Sequence, residues 1–264
     1  MGNLSRKIEL EQMHNTRDIG GMVTKNGRII KRGVFYRSGH LCRATDDDLI
    51  WVKNHVDTVM DFRSEKEIFE APDLLPDGIT YIHNPSTNRQ VDGITREKKM
   101  IRTIYERYSH YTDEQALNYM RGVYKSFVED DFVAACYTNY LKMLTDRESG
   151  RVLVHCAAGK DRAGFATILL QEILGVSRKD IIDDYMLSNE YLGAEMEYML
   201  GTLPEDAIDR YEPILSYFYL AYPEYIESLY ENIDSKYPSF MDFAKDRFGL
   251  TDENVEIIRR RYLE

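Results

Sequence analysis

The chain is poor in cysteine, tryptophan and proline, and it contains no long apolar run. Its three cysteines, Cys42, Cys136 and Cys156, stand at irregular spacings that suggest neither a disulfide framework nor a zinc site. A reducing cytoplasm is then the expected setting, with non-classical secretion left open, and there a thiol stays chemically usable. No stretch approaches the roughly 18 apolar residues of a membrane span, and the opening MGNLSRKIELEQMHN lacks the apolar core of a signal peptide. Stable membrane insertion is not expected. Basic charge is short as well: 34 Lys and Arg against 45 Asp and Glu give a formal net charge of −11. That balance argues against a nucleic-acid binder, and an anionic substrate would have to be held by local cations against the overall field.

What is present suits a single unit. At 264 residues with 43% hydrophobic side chains, the chain can bury a substantial core. Asn26-Gly27 between β-prone runs is a hairpin signal. Thr45 before DDDLIWVKNH reads as a capped helix, and Ser64 with Glu67 forms a capping box after the strand-like run 56–62. Residues 79–83 form a further short strand. Helical periodicity runs from about 113 to 145, RVLVH at 151–155 is an apolar strand, and a helix from 163 to 174 closes on Gly175. Ser177 with Asp180 and Thr251 start later helices. This alternation predicts an α/β fold: a mostly parallel sheet of about four to five strands flanked by helices, with residues 1–200 as the core and 201–264 as a helical, aromatic-rich extension. In the extension most aromatics are expected in the core, with a substrate-covering lid as the other reading. Between residues 89 and 107 lies a locally basic segment, read either as a solvated face or as a headgroup-binding surface.

The chemistry concentrates in 154-VHCAAGKDRAG-164. A strand, a short turn and a helix place this turn at the carboxyl end of the sheet, where α/β proteins bind ligands. Unpartnered amides at the helix start form an anion cradle, and the small residues Ala157, Ala158 and Gly159 allow close approach. Arg162 offers a planar fork matching two phosphate oxygens. The same positive surroundings are expected to lower the thiol pKa of Cys156 from about 8.5, making it a nucleophile toward phosphorus. The bland alternative is a buried inert cysteine with an ordinary helix arginine; the agreement of strand, turn and glycine argues against it.

HCAAGKDRAG resembles the HC-x5-R phosphate loop of the cysteine-dependent protein tyrosine phosphatase superfamily. Lys160 and Asp161 within it, together with NTRDIGG at 15–21, FYRSGHL at 35–41, VMDFRSEKE at 59–67 and the final GLTDENVEIIRRRYLE, are similar to a bacterial atypical branch. The resemblance implies phosphotyrosine hydrolysis, with phosphoserine/threonine or phosphoinositides as further substrates; nothing in the sequence suggests a metal or an organic cofactor. It assigns Cys156 as nucleophile, Arg162 as phosphate ligand and His155 as the residue that tunes the thiol. Many relatives take their general acid from a W-P-D loop, but the only tryptophan, Trp51, is followed by Val-Lys. Asp161 and Asp61 remain as candidates, Asp161 favoured, with Arg63 and Lys160 as neighbouring cations that could also contact substrate. Ala163 stands where most such loops carry a hydroxyl that helps the thiol leave, so slow breakdown of the phospho-enzyme is expected. A catalytically weak phospho-binding module and a rhodanese-like sulfur transferase are the competing readings. The oligomeric state is not legible.

Overall fold

The computed structural model describes residues 6–87, 98–203 and 205–264. In chain order the elements are β1 (Arg17–Asp18), β2 (Phe35–Ser38), α1 (Asp46–His55), β3 (Thr58–Asp61), α2 (Glu65–Glu70), β4 (Thr80–His83), α3 (Lys98–Tyr108), α4 (Asp113–Glu129) and α5 (Asp131–Thr145). They are followed by β5 (Val152–His155), α6 (Arg162–Leu174), α7 (Arg178–Tyr191), α8 (Gly193–Leu200), α9 (Glu205–Tyr219), α10 (Pro223–Asp234), α11 (Phe240–Phe248) and α12 (Asp252–Tyr262).

The five strands form one sheet in the order β1-β2-β5-β3-β4, parallel except for β1. Register aligns the carboxyl ends: His155 of β5 lies between Ser38 of β2 and Asp61 of β3. The α/β expectation is met, and the 154–164 segment leaves the sheet from its central strand. Successive residues of β5 and β3 serve opposite faces. Leu153 and Val59 pack with Tyr36, Leu41, Val52 and Val56 under α1, whereas Val152, Val154 and Met60 join the large cluster on the other face.

That larger cluster runs from the sheet through α4, α5 and α6 to Tyr262 and Leu263 near the C-terminus, so residues 201–264 share the core of the preceding chain. Helices α9 and α10 pack on α4, and α11 and α12 pack on α5 and α6. Helix α6 is buried on nearly every face, so the start of this helix, which carries Arg162, has little freedom to move. Tyr219, Tyr225 and Tyr230 are core residues, as expected for most of the C-terminal aromatics.

Local rules explain most boundaries. Thr45, Ser64, Thr112, Ser177 and Thr251 each accept a hydrogen bond from the amide three residues on. The hairpin around Asn26-Gly27 is present as a tight turn with Gly27 at φ 77°, closed by the Val23–Ile29 bridge. The 113–145 periodicity is divided in two. Asp130 adopts extended backbone and its carboxylate accepts from the amides of Phe132 and Val133, ending α4 and starting α5. Of the basic segment 89–107, residues 89–97 lie outside the described residues, and the rest belongs to α3. Among the described residues no helix is long and apolar enough to cross a membrane.

Candidate active site

The loop between β5 and α6 is held by its carbonyls. His40 donates its backbone N–H to Ala157 O at 3.0 Å, and Asn15 Nδ2 donates to Ala158 O at 3.0 Å. Buried Arg37 donates from Nε and Nη2 to Gly159 O and from Nη2 to Lys160 O, at 2.7–3.2 Å. Gly159 has φ 68°, and a Cβ there would sit 2.3 Å from Ser38 O, so only glycine fits. With four consecutive carbonyls tied outward, the amides of Ala157 to Asp161 are left without a hydrogen-bond acceptor among the described residues. The first-turn amides of α6 are likewise uncapped by any side chain. This is an anion-binding concavity at a helix N-terminus. Ala157, Ala158 and Asp161 are its partly exposed members; Cys156, Gly159, Lys160 and Arg162 are buried. Ala163 is fully buried, and its carbonyl accepts from Thr167 Oγ1.

Arg162 is oriented by a residue that sequence reasoning treated only as a helix cap. Glu67 accepts from Ser64 N and Oγ at 2.8 Å, the capping box, and its carboxylate also takes Arg162 Nη1 at 2.9 Å and Nη2 at 2.8 Å. Glu67 therefore occupies the end-on fork of the guanidinium. Nε and the outer N–H of Nη2, the side-on fork, have no described partner and remain for a second oxyanion. Burial would raise the Glu67 pKa, but the Arg162 charge and these hydrogen bonds outweigh it and lower it. The signal for this role was present, a carboxylate in a helix opening just after a strand end, but its partner lies 95 residues away.

The two residues preceding Arg162 are tied to helices outside the loop. Lys160, only 1% exposed, donates from Nζ to Phe218 O at 2.9 Å and Leu220 O at 2.8 Å. It thereby caps the carbonyl end of α9, where a cation is favoured. Burial lowers its pKa, opposed by Asp161. Asp161 Oδ1 lies 3.6 Å from Lys160 Nζ and accepts from the Tyr124 hydroxyl at 2.7 Å.

Asp61 and Arg63 lie behind the loop. Asp61 is fully buried and accepts from Arg63 N, Nε and Nη2 and from the Tyr81 hydroxyl, at 2.8–3.1 Å. Burial would raise its pKa, but His155 and Arg63 hold it well below the usual carboxylate range. Arg63 also donates from Nη1 to Ala71 O at 2.8 Å, and its Nη2 lies 2.7 Å from Asp73 Oδ2 as an ion pair. Both side chains are buried and engaged with each other. His155 has Nδ1 3.3 Å from Cys156 O and Nε2 3.1 Å from Asp73 Oδ2. Burial alone would lower the imidazole pKa; Asp61 and Asp73 raise it above 6.5. Asp61, Asp73 and His155 stand close enough to hold a cation, but the Arg63 guanidinium already bonds both carboxylates and supplies the countercharge.

The profile of the tyrosine phosphatase family matches residues 8–264. The triple specificity protein phosphatase PtpB of Mycobacterium tuberculosis is 26% identical over 95% of this chain and 97% of its own length. A Cupriavidus necator protein that carries a provisional tyrosine-protein phosphatase name is 29% identical over 69% of this chain, and the match spans 63% of that relative's length. The solved Siw14 catalytic core overlaps 76% of the chain at a TM-score of 0.33 and 11% identity, too distant to bear on activity. With almost the entire length matched, this chain belongs to the tyrosine phosphatase family.

Proposed function

We propose that the protein is a phosphomonoesterase that hydrolyses phosphotyrosine in proteins through a cysteinyl-phosphate intermediate, with phosphoserine/threonine and phosphoinositides as its wider range. The observation that carries this is the loop itself: four carbonyls anchored outward, free amides inward, Cys156 at one end and the unused side-on fork of Arg162 at the other. The amides and Arg162 bind the phosphate oxygens, and the negative charge they neutralise is the charge that grows on those oxygens as phosphorus changes partners.

In the first step the Cys156 thiolate forms an S–P bond as the P–O bond to the leaving group breaks, and the leaving oxygen takes a proton from Asp161. In the second step water attacks phosphorus, Asp161 takes back the proton and Cys156 leaves, releasing inorganic phosphate. Asp161 is preferred over Asp61 because it is partly exposed in the loop, whereas Asp61 is sealed against Arg63 and Tyr81. The wider substrate range is the one the family resemblance implies and suits a relative named for triple specificity; phosphoinositide turnover would need Lys160 to exchange its α9 carbonyls for a headgroup. The whole chain acts as one phosphatase unit in the cytoplasm.

The test is turnover of an aryl phosphate and a phosphotyrosine peptide with vanadate as inhibitor. Activity abolished in Cys156→Ser, together with acid-stable label on the wild-type cysteine after quenching, supports the proposal. Binding of vanadate without turnover would leave a phospho-binding module instead.

A further inference from the structure

Aspartate at the N-cap of a helix ordinarily caps it, a contact worth about 1 kcal/mol. Asp161 holds that position in α6 and makes no capping hydrogen bond. Its carboxylate is turned instead to Tyr124 of α4, whose hydroxyl oxygen is 2.7 Å from Asp161 Oδ1 and 2.7 Å from the hydroxyl of Tyr185 on α7. Both tyrosines are buried, at 0% and 1% exposure, and neither hydroxyl has another described partner. Two phenols from two helices have been brought inside the protein to reach one loop oxygen.

The proton inventory orders this chain. An ionised carboxylate has no proton to give and each phenol has one, so Tyr124 donates to Asp161 Oδ1 and Tyr185 donates to Tyr124. Burial, reinforced for Tyr124 by the charge of Asp161, raises both phenol pKa values well above 10, so both remain donors at working pH. Lys160 Nζ faces the same oxygen at 3.6 Å. Oδ1 thus carries a hydrogen bond and the nearest cation and is the less basic oxygen, whereas Oδ2 accepts no hydrogen bond among the described residues. We propose that Tyr124, backed by Tyr185, is a positioning residue that keeps the transferable proton of Asp161 on Oδ2 and holds that oxygen toward the leaving group. A proton on Oδ1 would reverse the chain and point away from the phosphate. The inference rests on Asp161 being the general acid.

The experiment compares Tyr124→Phe, Tyr185→Phe and Asp161→Asn in the full chain, reading kcat/KM, which reports the first step, for dinitrophenyl, nitrophenyl and phenyl phosphates. A good leaving group needs little protonation and a poor one needs much. The ratio of dinitrophenyl to phenyl kcat/KM is expected to rise in Asp161→Asn by about 100-fold, within the usual range for general acid catalysis, and in Tyr124→Phe by about 10-fold. Tyr185→Phe, which retains the Tyr124 hydroxyl, should shift the ratio in the same direction by less, and it carries the test if Tyr124→Phe does not fold. The pH profile of phenyl phosphate turnover should change in Tyr124→Phe on the limb that reports the acid; the titratable groups facing Asp161 are Tyr124, Tyr185, Lys160 and Tyr225. A uniform loss across all three substrates, or none, in the tyrosine variants while Asp161→Asn remains selective would overturn the role of Tyr124 alone. An unselective Asp161→Asn would overturn the general-acid reading and this inference with it.

Discussion

Replacing Glu67 by glutamine separates the two duties of that side chain. The glutamine keeps an oxygen for the capping-box amide of Ser64, but it removes the charge opposite Arg162 and one of the two acceptors that fill the end-on fork. Glu67 and Arg162 side chains are 11% and 8% exposed, so this is an ion pair largely withdrawn from water. Leaving one member of such a pair without its countercharge costs about 3 to 5 kcal/mol. Because glutamine retains one hydrogen bond and the cap, about 2 to 3 kcal/mol is the expected loss in urea-induced unfolding at neutral pH. The pH dependence supplies a second signature. The Glu67 carboxyl has its pKa lowered on folding, so its contribution is fully present above the unfolded value near 4.5 and is lost as pH falls through the lower folded value. In Glu67→Gln that part of the acid-side decline disappears, and the curves for the two proteins converge at low pH. A freed guanidinium also no longer presents its side-on fork in a fixed plane, so kcat/KM for an aryl phosphate should fall about 100-fold, as for a misplacement on the order of 1 Å. Stability within 0.5 kcal/mol of wild type, parallel pH curves and unchanged kcat/KM would together refute the reasoning that Glu67 orients Arg162.

Three further outcomes are expected. Burial, aided by the charge of Arg63, lowers the His40 pKa to about 4, so its stabilisation is complete above 6.5 and is lost as pH falls from 6.5 toward 4. The ring is partly exposed, so about 2 kcal/mol should be missing from that decline in His40→Gln, read by thermal unfolding across the window. Lys160→Met removes the donor that ties the loop to Phe218 and Leu220; it should cost about 2 kcal/mol and raise proteolysis near residues 218–222, and unaltered cleavage would contradict the tether. If Lys160 also serves a headgroup, the same variant should lose more activity on phosphoinositides than on aryl phosphates. Ala163→Ser restores a hydroxyl beside the loop: wild type should show a burst with a dinitrophenyl substrate followed by slow turnover, and the variant a steady rate about 10-fold faster, whereas linear wild-type progress curves would remove the argument.

Much of the site is written in contiguous residues. An apolar strand, small residues and an arginine six positions after a cysteine are local facts, and so are the caps at Thr45, Ser64 and Thr251, because a cap acts within one helical turn. The break of 113–145 at Asp130 was also local, but helical periodicity on both sides masked it. In sequence Asp161 was favoured over Asp61 for its place inside the loop, but both are carboxylates near the same sheet edge.

The folded chain gives the two carboxylates different surroundings. Asp61 meets Tyr81 across the strand pair and is closed by Arg63, whereas Asp161 meets Tyr124, 37 residues away, and stays partly exposed. Lys160, a cation by sequence, became a helix cap because the carbonyl end of α9 arrives 58 residues later. Spacing along the chain determined the proposed reacting pair, Cys156 and Arg162, since a strand-turn-helix brings them together unaided. The partners that decide orientation and protonation, Glu67 for Arg162 and Tyr124 for Asp161, come from other elements. Tertiary packing alone set those distances, because charge, burial and hydrogen bonding depend on what is near in space and leave no fixed spacing in the sequence.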